Sequence, residues 1–98
     1  FGGTIAHGFL TLSLLPHLMD QNRPRVAGTA MGLNYGLDKL RFLQPVPVGS
    51  RIRAHQAIRS VREKNPGQWL IRTRVSVEIE DKEKPALITD QLTMLFIR

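Results

Sequence analysis

The chain has 98 residues, of which 42% are hydrophobic and 22% are charged, and it contains no cysteine. A globular chain of this length forms one small domain that buries roughly 60–65% of its unfolded surface. We therefore expect a single domain over residues 1–98, and the composition excludes a disordered tail, a collagen-like fibre and a coiled coil. Without cysteine the chain has no disulfide and no thiolate metal site, which fits a reducing compartment such as the cytoplasm.

The net charge of +6 comes from 14 basic and 8 acidic residues. The basic residues form no continuous run and are not interleaved with aromatic side chains that stack on bases, so we expect no nucleic-acid partner. A diffuse excess of this kind indicates a solvated basic face or a site for an anionic ligand. The longest nearly apolar stretch, from Phe9 to Met19, is far shorter than the roughly 20 residues of a membrane-spanning helix, so we expect no membrane partner.

The first predicted element is a helix from Ile5 to Met19. Its apolar residues recur at spacings of three and four but also fill the rest of the circumference, which is typical of a helix buried on nearly every side. Thr4 is the expected N-cap, and Pro16, which lacks an N–H group, is expected to kink the helix. The polar residues 20–25 end it.

Four strands are predicted after the helix. The third is the clearest, because apolar residues from Ile71 to Ile79 alternate with polar ones, and the last is apolar enough on both faces to be central. Gly32 and Gly36 indicate a bulge or a close backbone approach in the first strand, and a change of phase indicates another bulge near Ala57. The strands are expected over residues 30–43, 51–62, 71–80 and 86–97, separated by turns at 44–50, 65–67 and 81–84.

One buried helix followed by four antiparallel strands predicts an α+β fold in which the sheet wraps around a long buried helix, the hotdog arrangement. Three segments then allow a more specific comparison: Phe1-Gly-Gly-Thr-Ile-Ala-His-Gly8 with the apolar residues that follow, Asn34-Tyr-Gly36, and Pro45-Val-Pro-Val-Gly-Ser-Arg51. In order and spacing they resemble the MaoC-like dehydratases, most closely the NodN-type branch of the (R)-specific enoyl-CoA hydratases. The resemblance covers essentially the whole chain.

This resemblance implies a hotdog protein that is a homodimer or a double hotdog, with acyl-CoA bound across the subunit interface. The implied reaction is the reversible addition of water to a trans-2-enoyl-CoA to give the (R)-3-hydroxyacyl-CoA, without a metal or a redox cofactor. Coenzyme A then arrives only as part of the substrate.

The catalytic Asp and His of this family lie in an Asp-x-Asn-x-x-His motif upstream of the Phe-Gly-Gly-Thr segment, and the 98 residues do not contain it. His17 and Asp20 do not replace the pair, because they follow the helix start instead of preceding it. We expect the true N-terminus to lie upstream of Phe1. The alternative is a non-catalytic hotdog module that binds acyl-CoA or holds a dimer together. Thioester hydrolysis is disfavoured, because the predicted helix contains no carboxylate.

Gly8 is the first candidate site residue. Hydration of an enoyl thioester places negative charge on the thioester oxygen, which calls for hydrogen-bond donors aimed at that atom. Backbone N–H groups in the first turn of a helix have no intrahelical acceptor, and a glycine there has no Cβ to hold the substrate away. The resemblance assigns the same oxyanion role to the N–H of Gly8. The alternative is that Gly8 only permits close packing of the helix on a strand.

The resemblance gives the remaining candidates less defined roles. It implies that His7 shapes the site, with a direct role in proton transfer as the alternative. Ala6 is expected to contact the substrate, and Ser13 to allow close packing or to line the pocket. Asn34, Tyr35 and Gly36 form the motif of the branch, in which Tyr35 is expected to border the acyl tunnel and Asn34 to orient a neighbouring group. For these last three a core tyrosine beside a bulge glycine is an equal alternative. Arg41, with Lys39, Arg51 and Arg53, is a candidate for the phosphates of coenzyme A, with a solvated strand face as the alternative. Neither His17 nor His55 has a partner at metal-ligand spacing, so no zinc site is expected.

Overall fold

The computed structural model describes residues 5–6, 8–20 and 27–98, and for residues 5, 6 and 20 the backbone only. Two short helices are followed by a sheet of four long strands. A separate two-stranded sheet is formed by a short strand before the helices and a short strand between the first and second long strands. In chain order the elements are β1 (Ile5–Ala6), α1 (Gly8–Ser13), α2 (Leu15–Asp20), β2 (Thr29–Phe42), β3 (Val46–Pro47), β4 (Ile52–Asn65), β5 (Gln68–Ile79) and β6 (Leu87–Ile97).

The four long strands form one antiparallel sheet in the order β2-β6-β5-β4. The last strand, β6, is therefore an inner strand, as its apolar character on both faces predicted. Strands β2 and β4 are the two edges. The short β1 and β3 pair antiparallel, with Ala6 opposite Val46, and so attach the segment before α1 to the loop between β2 and β4. The α+β class and the four antiparallel strands of the prediction are confirmed.

The core lies between the two helices and one face of the sheet. The alternation predicted for β5 is present, since Thr73, Val75, Val77 and Ile79 are all buried. Leu87 of β6 pairs with Val77 and is completely buried. The core cluster consists of Leu15, Met19, Val46, Val75, Val77, Ile79, Ala86 and Leu87.

The helical region differs from the prediction of one long helix buried on nearly every side. It is divided at Leu14 into α1 and α2, because the ring of Pro16 has no N–H to donate to the carbonyl of Leu12 and crowds that carbonyl. Its buried side chains are Thr11, Leu15 and Met19, which are spaced by four and form one narrow stripe. Phe9, Leu10 and Leu14 are exposed by 64%, 53% and 40%. The expected N-cap at Thr4 and most of the segment 20–25 lie outside the described residues.

Both predicted bulges are present in the sheet. In β2 the pairing with β6 shifts between Asn34 and Gly36, which leaves Tyr35 without a paired residue, and shifts again between Asp38 and Arg41. In β4 the pairing with β5 shifts between Ile58 and Ser60, close to the expected position. The predicted turn before β5 is confirmed as well, with Gly67 in the left-handed region at a φ of 76°.

Four charged side chains connect three strands on the face of the sheet opposite the core. Asp90 of β6 accepts hydrogen bonds from Arg72 Nη1 at 3.1 Å and from Arg74 Nε at 3.0 Å, both from β5. Arg72 Nη2 also donates to Asp38 of β2 at 2.8 Å. Burial opposes ionisation of Asp90, but the hydrogen bonds from Arg74 and Arg72 outweigh it and lower the pKa of Asp90 below its ordinary value. Asp90 is thus held ionised between two guanidinium groups.

Replacing Leu87 tests the position of the core. Leu87→Ala removes a completely buried side chain and leaves a cavity, so we expect the free energy of unfolding to fall by about 2–5 kcal/mol. Urea denaturation measures this change. Leu10→Ala is the matched control, because Leu10 is more than half exposed, and it is expected to change the free energy by less than about 0.5 kcal/mol. Equal losses in the two variants would contradict this assignment of the core.

Replacing Asp90 tests the charged cluster. The pKa of Asp90 is lower in the folded chain than the ordinary value of 3.8, so its carboxylate stabilises the fold above pH 4 and loses this effect as the pH falls through the folded pKa. We expect Asp90→Asn to lower the free energy of unfolding by about 1–3 kcal/mol at pH 7, nearer the lower figure because both arginines are partly solvated. Urea denaturation at a series of pH values should show the difference from the parent protein shrinking below pH 4.

Asp81→Asn is the control for this measurement. Asp81 lies in an exposed turn at a φ of 64°, a conformation that asparagine also adopts readily. The control is expected to change stability by less than about 0.5 kcal/mol. A difference between Asp90→Asn and the parent that does not depend on pH would show that the carboxylate charge does not stabilise the fold.

Candidate functional site

The first residue of α1 opens onto a small cavity. Gly8 is the first residue of the helix. The segment before it is held against β3, where Ala6 pairs with Val46. The cavity has a volume of about 240 Å³ and we call it the Gly8 cavity. It is lined by Gly8, Thr11, Phe42, Leu43, Gln44, Pro45, Val46 and Ala86.

Gly8 and Phe42 are in close contact at this cavity. A Cβ atom on Gly8 would lie 3.0 Å from Cδ1 of Phe42, which is closer than side chains normally approach. The Phe42 ring in turn meets the ring of Phe9 edge-on, with centroids 5.6 Å apart. Phe42 is 45% exposed, and its ring forms a partly solvated surface beside the helix start. The site therefore combines a first-turn backbone N–H with a neighbouring aromatic surface.

A second and larger cavity lies between α2 and the sheet. It has a volume of about 580 Å³, which is within the range of small-molecule sites, and we call it the α2 cavity. Its apolar lining residues are Pro16 and Met19 of α2 and Leu33, Ile58, Ile71 and Leu95 of the sheet. The polar lining residues come from the same four strands and lie beside the apolar ones, since Thr93 pairs with Ile71. They are Thr29, Asn34, Gln56, Thr73, Gln91 and Thr93.

Two amides among the polar lining residues have defined partners. Gln56 Nε2 donates to the carbonyl of Met19 at 3.1 Å, which attaches the last turn of α2 to β4. Gln91 Nε2 donates to Asn34 Oδ1 at 3.2 Å, which joins β6 to β2. Gln91 is only 6% exposed, and its Oε1 atom is buried without a hydrogen-bond partner among the described residues.

The predicted site residues are distributed over several places. Gly8 lies at the Gly8 cavity and Asn34 at the α2 cavity, so the structure does not bring these two together. Tyr35, at the bulge of β2, is half exposed and accepts a hydrogen bond from Lys64, whose Nζ also lies 4.5 Å from the ring centroid. This hydrogen bond and the charge of Lys64 lower the pKa of Tyr35. A Cβ on Gly36 would meet only Leu92, at an ordinary 3.9 Å, so space does not require a glycine there.

Ser13 and Arg41 line neither of the two cavities. Ser13 is exposed, and its Oγ donates to the carbonyl of Leu10 at 2.7 Å. Arg41 is also exposed and donates to the carbonyl of the adjacent Leu40. His7 and the side chain of Ala6 lie outside the described residues. The substrate roles of all these residues stay predictions.

The other basic candidates are placed as follows. Arg53 forms an ion pair with Glu78 at 2.9 Å and Arg51 pairs more loosely with Glu80 at 3.6 Å, on the exposed side of β4 and β5. Lys39 occupies the left-handed region at a φ of 55° within the irregular pairing of β2. Arg51 and Arg53 therefore already have carboxylate partners on the solvated strand face.

Sequence reasoning did not identify Phe42, and of the polar residues that line the α2 cavity it identified only Asn34. Phe42 is distant from Gly8 in the chain, and no sequence pattern brings the two together. Gln91 and Thr93 did leave a signal, because they interrupt the alternate positions of β6 that face the core at Leu87. Polar residues on the inward face of an inner strand indicate a cavity or a buried hydrogen-bond network.

Within the described part of the chain, no three His, Asp or Glu side chains lie together in a way that would hold a metal ion. None of the described helices is both long enough and apolar enough to span a membrane.

Comparisons with known proteins give a consistent picture. The family model of the MaoC like domain matches residues 1–82. The chain is 43% identical over 95 residues to Nodulation protein N of Rhizobium leguminosarum bv. viciae, covering 97% of this chain and 59% of that protein. It is 45% identical over 92 residues to 3-hydroxyacyl-thioester dehydratase Z of Mycobacterium tuberculosis, covering 94% of this chain and 60% of that protein. The chain thus spans about three fifths of the length of these relatives.

Two of the solved structures that match show the shared fold. A protein described as a monoamine oxidase regulatory protein from Archaeoglobus fulgius superposes with a TM-score of 0.80 at 21% identity, covering 100% of this chain and 64% of that one. A MaoC-like dehydratase from Rhodospirillum rubrum superposes with a TM-score of 0.79 at 14% identity, covering 99% of this chain and 65% of that one. At these identities the likeness concerns the fold, and it confirms the expected hotdog architecture.

Proposed function

The chain belongs to the MaoC-like dehydratase family, and we propose that residues 1–98 form the hotdog domain of an (R)-specific enoyl-CoA hydratase. The reaction would add water to a trans-2-enoyl thioester or remove it from the (R)-3-hydroxyacyl thioester. The observation that carries this proposal is the 45% identity to a 3-hydroxyacyl-thioester dehydratase over 94% of the chain. The match covers 60% of that relative, so the proposed activity is that of the whole protein and not of residues 1–98 alone.

The proposed role of Gly8 follows from the charge that develops during the reaction. When the oxygen of water bonds to C3 of the enoyl group, electrons move towards the thioester oxygen, and a proton then adds at C2 to complete the product. The Gly8 N–H would donate to that oxygen, and an N–H without an intrahelical partner requires little reorganisation to do so. The ring of Phe42 occupies the place of a Gly8 Cβ, which is also what the packing alternative requires, and this half-exposed ring would have to turn aside for a flat thioester to reach the backbone.

The base that activates water is expected in the Asp-x-Asn-x-x-His motif that the family resemblance places upstream of Phe1. The proposed chemistry needs no metal and no redox cofactor, and it makes acyl-CoA the small-molecule partner. The cytoplasm stays the expected compartment.

We also propose that the protein is a homodimer in which a second copy covers β2. This strand is a sheet edge of 14 residues, and an edge of that length offers unpaired backbone groups to another chain. Its apolar side chains Met31, Leu33, Tyr35 and Leu37 are each exposed by 40–50%. A contiguous apolar edge of this kind is usually covered in the functional assembly.

Sedimentation equilibrium tests this assembly. The parent protein is expected to be a dimer, and Met31→Lys is expected to raise the dimer dissociation constant by at least about tenfold, because it places an ammonium group in an apolar contact. Val48→Lys is the control, because Val48 is 73% exposed and belongs to the turn after β3 instead of to β2, and it should leave the dimer unchanged. A monomeric parent protein, or equal effects of both substitutions, would contradict a dimer through β2.

The hydratase proposal is tested by assaying the full-length protein with crotonyl-CoA. Hydration removes the conjugated double bond, so the loss of its ultraviolet absorbance gives the rate, and chiral analysis of the product identifies the (R) alcohol. We expect Gly8→Ala to lower kcat/KM by about a hundredfold, because a new Cβ displaces the thioester from the backbone donor. Acyl-CoA binding without turnover in the parent protein would favour the non-catalytic alternative.

A double variant separates catalysis from packing. The new Cβ in Gly8→Ala would crowd Phe42, and Phe42→Ala removes that ring. If Gly8 served packing alone, Gly8→Ala/Phe42→Ala would recover activity close to that of Phe42→Ala. We expect thermal stability to recover while kcat/KM stays low, since the Cβ still lies in the path of the thioester.

A further inference from the structure

Tyr35 and Lys64 meet across the width of the four-stranded sheet. Tyr35 belongs to the edge strand β2 and Lys64 to the opposite edge strand β4, so their contact spans both inner strands. Each lies at an irregularity, because the pairing of β2 with β6 shifts around Tyr35 and the pairing of β4 with β5 shifts around Lys64. Bulges of this kind redirect side chains out of the regular alternation and are frequent beside functional sites.

A second cation, Arg62, acts on the same phenol. The hydrogen bond from Lys64 is the main reason why the pKa of Tyr35 is lowered, followed by the charge of Lys64 and, after the opposing effect of burial, by the charge of Arg62. Lys64 Nζ also lies 4.5 Å from the centroid of the Tyr35 ring. Two positive charges therefore act on the phenol oxygen, and no carboxylate among the described residues contributes to its pKa.

Neither of these two cations forms an ion pair within the part of the chain that the structure describes. Other arginines of the sheet do, since Arg74 is paired with Asp90 at 3.0 Å. Glu63 lies between the two cations in the sequence, but its carboxylate accepts a hydrogen bond from the N–H of Gly67 at 3.3 Å, in the turn after β4. Part of the net charge of +6 is thus a local pair of cations without a counterion.

We propose that Tyr35, Arg62 and Lys64 form a binding site for a phosphate group. An ammonium group has three donors, of which Lys64 uses one on Tyr35, while the guanidinium group of Arg62 and the Tyr35 O–H keep theirs for a ligand. A phosphate monoester carries a charge of about −1.5 to −2 at pH 7 and offers three acceptor oxygens. It therefore matches two cations and a hydroxyl donor better than a single carboxylate does.

A phosphate group can reach this position. Arg62 and Lys64 are exposed, and Tyr35 is exposed by 50%. The second copy that we propose at β2 would cover the free edge of that strand, whereas the Tyr35 hydroxyl is directed the other way, towards β4. None of the three residues lines the Gly8 cavity or the α2 cavity, so the site is separate from both and does not depend on the hydratase proposal.

Isothermal titration calorimetry on the full-length protein tests the site, at constant ionic strength because exposed charges are screened by salt. The probes are inorganic phosphate and adenosine 3′,5′-bisphosphate, which represents the nucleotide end of coenzyme A. We expect both to bind, and we expect Arg62→Gln and Lys64→Met each to raise the Kd about tenfold, because each removes charge-assisted hydrogen bonds. Arg59→Gln is the matched control, since Arg59 is an exposed arginine of the same strand whose charge does not affect Tyr35.

The two probes also distinguish the source of the phosphate. Equal affinities would identify the phosphate group alone as the ligand, and tighter binding of the bisphosphate would identify a phosphorylated nucleotide. A second measurement locates the bound anion. It offsets the two cations and is therefore expected to raise the pKa of Tyr35, which the ultraviolet absorbance of tyrosinate reports as the difference between the parent protein and Tyr35→Phe.

Three results would overturn the proposal. The first is a parent protein that binds neither probe, and the second is an equal loss of affinity in Arg62→Gln, Lys64→Met and Arg59→Gln, which would indicate attraction to the overall charge. The third is binding that leaves the pKa of Tyr35 unchanged, which would place the anion elsewhere. Turnover of crotonyl-CoA is measured separately, so each of these results disproves the phosphate site without deciding the hydratase proposal.

Discussion

The burial of one end of β6 beneath the two helices is the constraint on which the rest of the structure depends. Leu87 and its neighbour Val77 are completely buried, and Leu15 and Met19 of α2 belong to the same core cluster. Since β6 pairs with both β2 and β5, fixing Leu87 under the helices sets which face of three strands points inwards. A slip of one residue would turn every inward side chain of β6 to the opposite face.

The opposite face of the sheet reinforces the same register by a different interaction. Asp90 is buried between Arg72 and Arg74, and Arg72 extends further to Asp38 of the edge strand. An ion pair of this kind adds modest stability, but removal of one partner leaves a charge without compensation. The cluster therefore disfavours alternative pairings of β2, β6 and β5 more than it strengthens the native one.

Much of the fold could be predicted from the sequence, because it depends on local patterns. The alternation of β5 between Ile71 and Ile79 specified a strand and its buried face, and the apolar character of β6 specified an inner strand. The helix was less predictable, because residues such as Phe9 and Leu10 suggested burial all round, whereas only one stripe is covered. The sequence shows which side chains are apolar enough to be buried. Whether they are covered depends on tertiary contacts or on a partner.

The candidate site was only partly predictable for a similar reason. The segment around Gly8 was identified through family resemblance, yet the contact between Gly8 and Phe42 joins residues from distant parts of the chain. The contact of Tyr35 with Lys64 joins the two edge strands of the sheet, which no local pattern specifies. Asn34 was predicted to lie near the substrate, but its partner Gln91 was not, because an isolated polar residue in a strand does not reveal which cavity it lines.

The α2 cavity follows from the mismatch in length between the helices and the sheet. The described helices end at Asp20, and the core cluster on β5 extends from Ile79 to Val75 and no further. From Thr73 onwards the inward face of the sheet lies beyond the core cluster and mixes polar residues with apolar ones: Thr73, Gln91 and Thr93 with Ile71 and Leu95. If this end of the sheet served only stability, apolar side chains there would be expected to extend the core. Instead these positions carry polar side chains that are nearly as buried as the core, and such side chains lower stability unless they gain partners. Gln91 gains one from Asn34, and this hydrogen bond connects the inner strand β6 to the edge strand β2 where the core cluster no longer does.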